Sequence, residues 1–440
     1  MIKIPDYVNK AMDLLHGAGF EAYVVGGCVR DSILGHRPSD WDITTSALPE
    51  DTLSVFSDYK TIETGIKHGT VTVIIDDIPL EITTYRVDGE YLDNRHPSSV
   101  TFTRSLTQDL ARRDFTINAM AYDGELIDLF GGQIDLQMRT IKCVGNAKKR
   151  FSEDALRILR ALRFASILGF NIDPDTSDAI HDMCLSLQSV SKERITEELL
   201  KFLEGEMVTS LLLEYKDVFA TILPCLAPCI DFSQMNKHHM YDVYSHIAFA
   251  VGAAPSDATV RLALLLHDVG KPSCFTVEDG VGHAYGHEEA GAIIVETALR
   301  ENLRLTSSML SDVVTLVRNH DYHLDSSLET VLRALGKFGP DLLHKLVFLE
   351  YGDMMAHSRS ARNFDYYCIL KAIDTAIEAR FPCRVTDLDI NGEDLVELGF
   401  SGPAIGETLS ELLEMVISGN LENVHDKLIE RVKEIGTGKA

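Results

Sequence analysis

Residues 26–45 read GGCVRDSILGHRPSDWDITT and set the chain's only tryptophan between two aspartates, Asp40 and Asp42, shortly after a glycine pair. SDWDITT has the character of a β-strand, in which alternate side chains share a face. Asp40 and Asp42 then converge, while Trp41 turns the other way, into a core. Two adjacent carboxylates repel unless a cation or a proton separates them. Taken alone, the pair fits a solvated strand end as well as it fits a metal site.

The surrounding residues extend the pattern. EAYVVGG is a strand running into Gly26 and Gly27, and VRDSILG is a short helix. Such a turn lets backbone amides approach a phosphate closely, although a glycine pair alone is a weak sign. GTVTVIID and PLEITTYR are two further strands joined by a turn at Asp-Asp-Ile-Pro. Alternation along LEITTYR makes Glu81 the inferred third carboxylate beside Asp40 and Asp42. RRDFTINAMAY leads Arg112, Arg113 and Asp114 into an apolar run. Guanidinium forks suit triphosphate oxygens, and structural ion pairs account for the same arginines.

From about residue 145 the periodicity is helical almost throughout, as in EDALRILRALRFASILGF. The expected fold class is therefore α+β and multidomain, a small mixed α/β head followed by helical parts. With 440 residues the chain exceeds one ordinary core. Its best internal break is Pro224, Pro228 and the polar DFSQMNKHHM. No repeat of fixed period is present.

Composition narrows the function classes. With 45% hydrophobic and 25% charged residues, the sequence is that of a globular protein. No apolar run approaches the ~20 residues of a membrane span, and the N-terminus is an amphipathic helix, not a secretory signal. The expectation is a cytoplasmic protein with no membrane partner. Eight scattered cysteines fit reduced, mostly buried thiols. The net charge of -26 argues by itself against nucleic acid. Locally the balance reverses, with Arg139, Lys142, Lys148, Lys149, Arg150, Arg157, Arg160 and Arg163 set against only Glu153 and Asp154. Such a stripe can hold a phosphate backbone, or simply be a solvated helix face.

GGCVRDSILGHRPSDWDITT, EITTYR, RRDFTINAMAY, DLFGGQIDL, EDALRILRALRF and ERITEELLKFL, in that order, resemble the class II tRNA nucleotidyltransferase/poly(A) polymerase family, and more narrowly the bacterial CCA-adding enzymes with an HD domain. The resemblance resumes in NGEDLVELGFSGPAIGETLSELLEMVISG. It implies a nucleotidyltransferase head at 1–140, a helical neck at 141–225, an HD metal-binding domain at 226–330 and a helical tRNA-binding region at 331–440. It further implies Mg²⁺ on Asp40 and Asp42. Gly26, Gly27, Arg30, Arg112, Arg113, Asp114 and Arg160 would meet the nucleotide. The implied partners are tRNA, CTP and ATP; the oligomeric state stays open.

The family chooses nucleotides with the acid and arginine of its EDxxR motif, here Asp154 and Arg157. Three apart on one expected helix, they share a face. A carboxylate accepts and a guanidinium donates, matching the amino and ring-nitrogen pattern common to cytosine and adenine but reversed in uracil and guanine. An intrahelical salt bridge is the alternative. DGEYLDNRHPSSVTFTRSLTQDLA resembles the flexible loop of members that add the terminal A.

Farther along, His246, His267, Asp268, His287, His320 and Asp321 recur in DVYSH, RLALLLHDVGKP, AYGHEEAGA and LVRNHD. A lone buried His is usually an ordinary core residue, but an Asp inside RLALLLHDVG is costly to bury without a partner. The spacing resembles HD-domain phosphohydrolases. This implies His246, His267, Asp268 and Asp321 as ligands of a divalent metal, with His287 and His320 as auxiliary groups for a second metal or a phosphate.

Overall fold

The protein is described by a computed structural model covering residues 2–88, 100–235, 240–358 and 365–437. It divides into two compact units, one of residues 1–227 with 298–304, the other of residues 228–297 with 305–440. The four-part division above is finer than this one.

In the first unit, strands β1 (Ala22–Val25), β2 (Asp42–Thr45), β3 (Lys60–Ile62), β4 (Thr70–Ile75) and β5 (Ile78–Thr84) open the head. β6 (Arg86–Asp88) and β7 (Val100–Phe102) pair with each other, and β8 (Met120–Asp123) and β9 (Glu125–Asp128) follow. One sheet runs β3-β4-β5-β2-β1-β8-β9, antiparallel except where β2 lies parallel to β5. Val71, Val73 and Ile75 of β4 are buried while their neighbours are not, the period-two pattern of a sheet with one covered face. Asp76 and Asp77 turn the β4–β5 hairpin with φ of 51° and 63°, a conformation aspartate tolerates. The turn is therefore confined to Asp-Asp, and Ile78 and Pro79 already belong to β5.

Two expectations are corrected here. β2 begins at Asp42, so Asp40 precedes the strand, although Trp41 is buried as expected. The expected single helix around EDALRILRALRF is two helices, Ala147–Glu153 and Arg157–Leu168. Asp154 lies between them in extended backbone, φ −144° and ψ 104°. Asp154 and Arg157 consequently do not share a helix face. The second helix stops at Gly169, whose φ of 68° ends it at no steric cost. Two residues of strand at Thr140–Ile141 pair with Asn171–Ile172, a small break in an otherwise helical neck.

The second unit is helical around an apolar core from Val243–Ala253, Ala258–Leu266, Ser307–Arg318 and Pro340–Ala356, with one hairpin at Thr276–Glu278 and Val281–His283. Helices Pro403–Ile417 and His425–Thr437 enclose a small core around Leu395, Leu412, Leu428 and Val432. Among the described residues no helix is long and apolar enough to cross a membrane. All eight cysteines are free, and four are buried. The loop expected from DGEYLDNRHPSSVTFTRSLTQDLA lies at 89–99 outside the described residues; its later part forms β7 and the helix Leu106–Ala111.

Candidate active site and metal centre

The parallel pairing of β2 with β5 sets Asp42 directly opposite Glu81. Asp40 and Asp42 line one cleft of the head with Gly26, Gly27, Arg30, Arg113, Asp114, Asn118, Arg160, Arg163 and Phe164. Asp42 keeps an exposed face, yet desolvation in the cleft, then Glu81, push its carboxyl up to about 6, with Asp40 adding to the rise and Arg113 opposing it. A carboxylate so crowded by acids is a site that a cation relieves. Gly26 has φ 81°, and a Cβ there would sit 3.2 Å from Arg113 Nη1, so the turn leaves the guanidinium its room.

The arginines are individually anchored. Arg30 donates to Asp31 Oδ1 at 2.8 Å and Asn118 Oδ1 at 2.7 Å. Arg160 donates through Nε and Nη2 to Asp114 Oδ2 at 2.9 and 2.7 Å. Burial works to raise the Asp114 carboxyl, but Arg160 and then Arg157 overcome it and hold the group at about 2. Arg112 departs from expectation. It turns to buried Asp109, with Nε at 2.9 Å and Nη2 at 2.8 Å, and is not among the cleft-lining residues.

Asp154 is gripped elsewhere than expected: Arg194, from helix Lys192–Leu203, donates to its two oxygens at 3.1 and 2.7 Å. Arg157 donates to Glu153 Oε2 at 2.7 Å and to the carbonyls of Arg150 and Arg112 at 3.1 Å. One turn beyond Arg194, Glu198 lies 2.9 Å from Arg163 and 3.6 Å from Arg160. Sequence reasoning missed Arg194, Glu198 and Asn118. The i,i+4 spacing of Arg194 and Glu198 in ERITEELLKFL was the available signal for the first two.

The second unit brings the histidines together. His246, His267 and Asp268 form one group of converging ligand atoms, His246, Asp353 and His357 another, and Asp268, His287 and His320 a third. His267, His287 and His320 each donate Nδ1–H to a carbonyl three residues back, Leu264, Ala284 and Val317, at 2.7, 2.8 and 2.7 Å. That tautomer leaves the Nε2 of His267 facing the centre, while the Nε2 atoms of His287 and His320 pair with each other at 3.0 Å. His267 Nε2 lies 3.3 Å from both Asp268 Oδ2 and Asp353 Oδ1, and His246 Nε2 lies 2.7 Å from Asp353 Oδ1. Lys271 adds a cation 2.7 Å from Asp268 Oδ2. Asp268 Oδ1 and His267 Nε2 are buried without a hydrogen bond of their own, as ligand atoms of an ion are.

The carboxylate that joins Asp268 among these histidines is Asp353. Asp321, expected there, lines the same cavity with its side chain 61% exposed, 3.8 Å from His320 Nε2, and groups with His287 and Glu288. Asp353 was missed because 85 residues and four helices separate it from the His267–Asp268 pair; its i,i+4 partner His357 in DMMAH was the only sequence sign.

Family models match these parts in order: the poly A polymerase head domain at 22–142, a probable RNA- and SrmB-binding site of polymerase A at 169–230, the HD domain at 237–362, and a putative tRNA nucleotidyltransferase domain 2 at 370–432. The CCA-adding enzyme of Leuconostoc mesenteroides is 35% identical over 425 residues, 96% of this chain and 94% of that protein. The chain belongs to the CCA-adding enzyme family. That of Geobacillus stearothermophilus is 53% identical over 189 residues, 42% of this chain and 46% of that protein. The crystal structure of the Bacillus stearothermophilus CCA-adding enzyme in complex with CTP superposes with a TM-score of 0.73 at 30% identity, covering 98% of both chains.

As a member of the CCA-adding enzymes, this chain is a divalent-metal-dependent nucleotidyltransferase. Of the residues expected at the nucleotide site, Asp40, Asp42, Gly26, Gly27, Arg30, Arg113, Asp114 and Arg160 share one cleft. Glu81 adjoins it through the strand register. Arg112, Asp154 and Arg157 do not line it.

Proposed function

We propose that the head cleft is where CTP and ATP are joined to the 3′ end of tRNA, with Asp40 and Asp42 as Mg²⁺ ligands and Glu81 beside them. The protein is a template-independent tRNA nucleotidyltransferase that builds CCA and releases pyrophosphate. The observation that carries the site is the register of Asp42 against Glu81, which sets a further acid beside a cleft that also holds Arg30, Arg113, Arg160 and Arg163. Divalent ions there would activate the attacking 3′-oxygen and neutralise the departing pyrophosphate.

The chain's own groups do the rest. Arg30 and Arg160 present donors to phosphate oxygens already oriented by Asp31, Asn118 and Asp114, and Arg113 adds a third guanidinium held 3.5 Å from Asp109, so little ordering is left for binding. Asp154 and Arg157 supply the base choice. Although Arg194 takes both oxygens of Asp154, a carboxylate has about four lone-pair sites and can still accept from an exocyclic amino group. A tRNA substrate places the work in the cytoplasm.

Transcripts ending before CCA, after C and after CC, each given single nucleotides and then CTP with ATP, test this reading. The first gains CCA and stops; a single A on the third alone marks an A-adding specialist, and a long A ladder a poly(A) polymerase. Asp42→Ala abolishes all incorporation.

A second reading rests on the centre around Asp268. His246, His267, Asp268 and Asp353 would hold a divalent ion, with His287 and His320 on the other oxygen of Asp268. Such an ion polarises a phosphate ester and acidifies water. We assign this centre a phosphohydrolase activity that survives Asp42→Ala.

A further inference from the structure

Three guanidinium groups gather on one aromatic ring in the head cleft. Arg30, Arg160 and Arg163 place their guanidinium carbons 5.0, 5.3 and 4.2 Å from the centroid of Phe164, and all four residues line the cleft with Asp40 and Asp42. Phe164 follows Arg160 by one helical turn in Arg157–Leu168, so ring and guanidinium leave the helix on the same side. Phe115 meets the ring edge-on, centroids 5.8 Å apart at 81°, which fixes it from the core. Phe164 is 8% exposed, so its face belongs to the cations and not to solvent.

Ion pairs alone do not account for this arrangement. Asp31 pairs with Arg30 from its own helix, Asp114 with Arg160, and Glu198 with Arg163 at 2.9 Å and Arg160 at 3.6 Å. These acids tie Arg160 to Arg163 but do not bring Arg30 to them. The ring does, because its negative face attracts all three at once. The result is three cations held around one rigid point in the lining of the cleft.

We propose that Phe164 is a positioning residue for nucleotidyl transfer, its ring holding Arg30, Arg160 and Arg163 as one phosphate-binding face. This rests on the head cleft being the transfer site. The ligand is a phosphate group, supplied either by the incoming triphosphate or by the last phosphodiesters of the RNA. Arg163, Phe164 and Glu198 thereby join the site as residues that carry no reacting atom.

The test is steady-state incorporation by Phe164→Leu and by a series of fluorinated phenylalanines placed at 164. Fluorination weakens the ring's negative face while keeping its shape. The expected result is a KM raised about tenfold in Phe164→Leu, with kcat within about twofold. KM should also climb stepwise with fluorine number at unchanged melting temperature. A rise in KM for CTP and ATP identifies the triphosphate as the ligand; a rise in KM for tRNA alone identifies the RNA phosphates. Unchanged KM for both, or a loss confined to kcat or melting temperature without a fluorine trend, overturns the proposal. Asp42→Ala is measured in parallel, and its retaining incorporation would instead remove the transfer site from this cleft.

Discussion

Asp154 and Arg194 form a two-pronged ion pair, Nη1 to Oδ1 at 3.1 Å and Nη2 to Oδ2 at 2.7 Å, across 40 residues of chain. Asp154 itself lies in an extended link between two helices, where its own backbone does little to fix the carboxylate. The leucine amide two residues on donates to Oδ1 at 3.1 Å, and Arg194 supplies the remaining orientation.

If Asp154 reads the base, Arg194 decides how sharply it does so. Arg194→Ala should raise misincorporation of UTP and GTP relative to CTP and ATP by about tenfold, since a carboxylate free to rotate no longer punishes the wrong edge. Arg194→Lys, which restores charge but not the planar fork, should recover only part of it. Competition assays on a CC-ended transcript measure both; an unchanged ratio means that Asp154 is structural.

The raised Asp42 carboxyl gives a pH signature. Its folded value of about 6 stands above the ordinary 3.8, so the ionised form is disfavoured by the fold. Without metal, this group costs no stability below pH ~4, progressively more as pH rises toward 6, and a constant amount above. A cation binds only the ionised form. The rise in melting temperature on adding Mg²⁺ should therefore be full above pH 6 and fade below it. Asp42→Asn should melt higher than the wild type without metal at pH 7 and lose this part of the Mg²⁺ response. Because the centre around Asp268 is common to both proteins, their difference reports the head alone.

What the sequence disclosed, and what it hid, follows from the range of each interaction. Glu81 reaches the acids through the pairing of β2 with β5, inferred from its strand, whereas alternation among near neighbours placed Trp41 in the core. The glycine pair and Arg113 were legible for the same reason. Asp154 and Arg157 were misplaced on one helix because EDALRILR keeps an apolar rhythm straight through the break at Asp154. Arg112 and Arg113 are alike in sequence and both reach buried Asp109, at 2.8 and 3.5 Å, but Arg112 is the one held by two hydrogen bonds there and kept from the cleft. The side chains that orient others, Arg194 on Asp154 and Asp353 on His246, come from distant helices and left only an i,i+4 echo.

Asp353 and Asp321 make the most direct contest between the structure and the spacing of the sequence. Asp353 Oδ1 stands 2.7 Å from His246 Nε2 and 3.3 Å from His267 Nε2 in a nearly closed site, whereas the Asp321 side chain is 61% exposed. An ion needs its carboxylate at the centre, and losing one ligand typically weakens binding far more than losing a peripheral charge. In an Asp42→Asn background, which silences the head, Mn²⁺ bound per chain can be counted by elemental analysis after dialysis. Asp353→Ala should lower affinity by at least about 100-fold and remove phosphohydrolysis with it. Asp321→Ala should leave the bound metal nearly unchanged, and circular dichroism should show both variants folded. The reverse ranking would restore Asp321 as the ligand and make Asp353 a partner that merely neutralises two buried imidazoles.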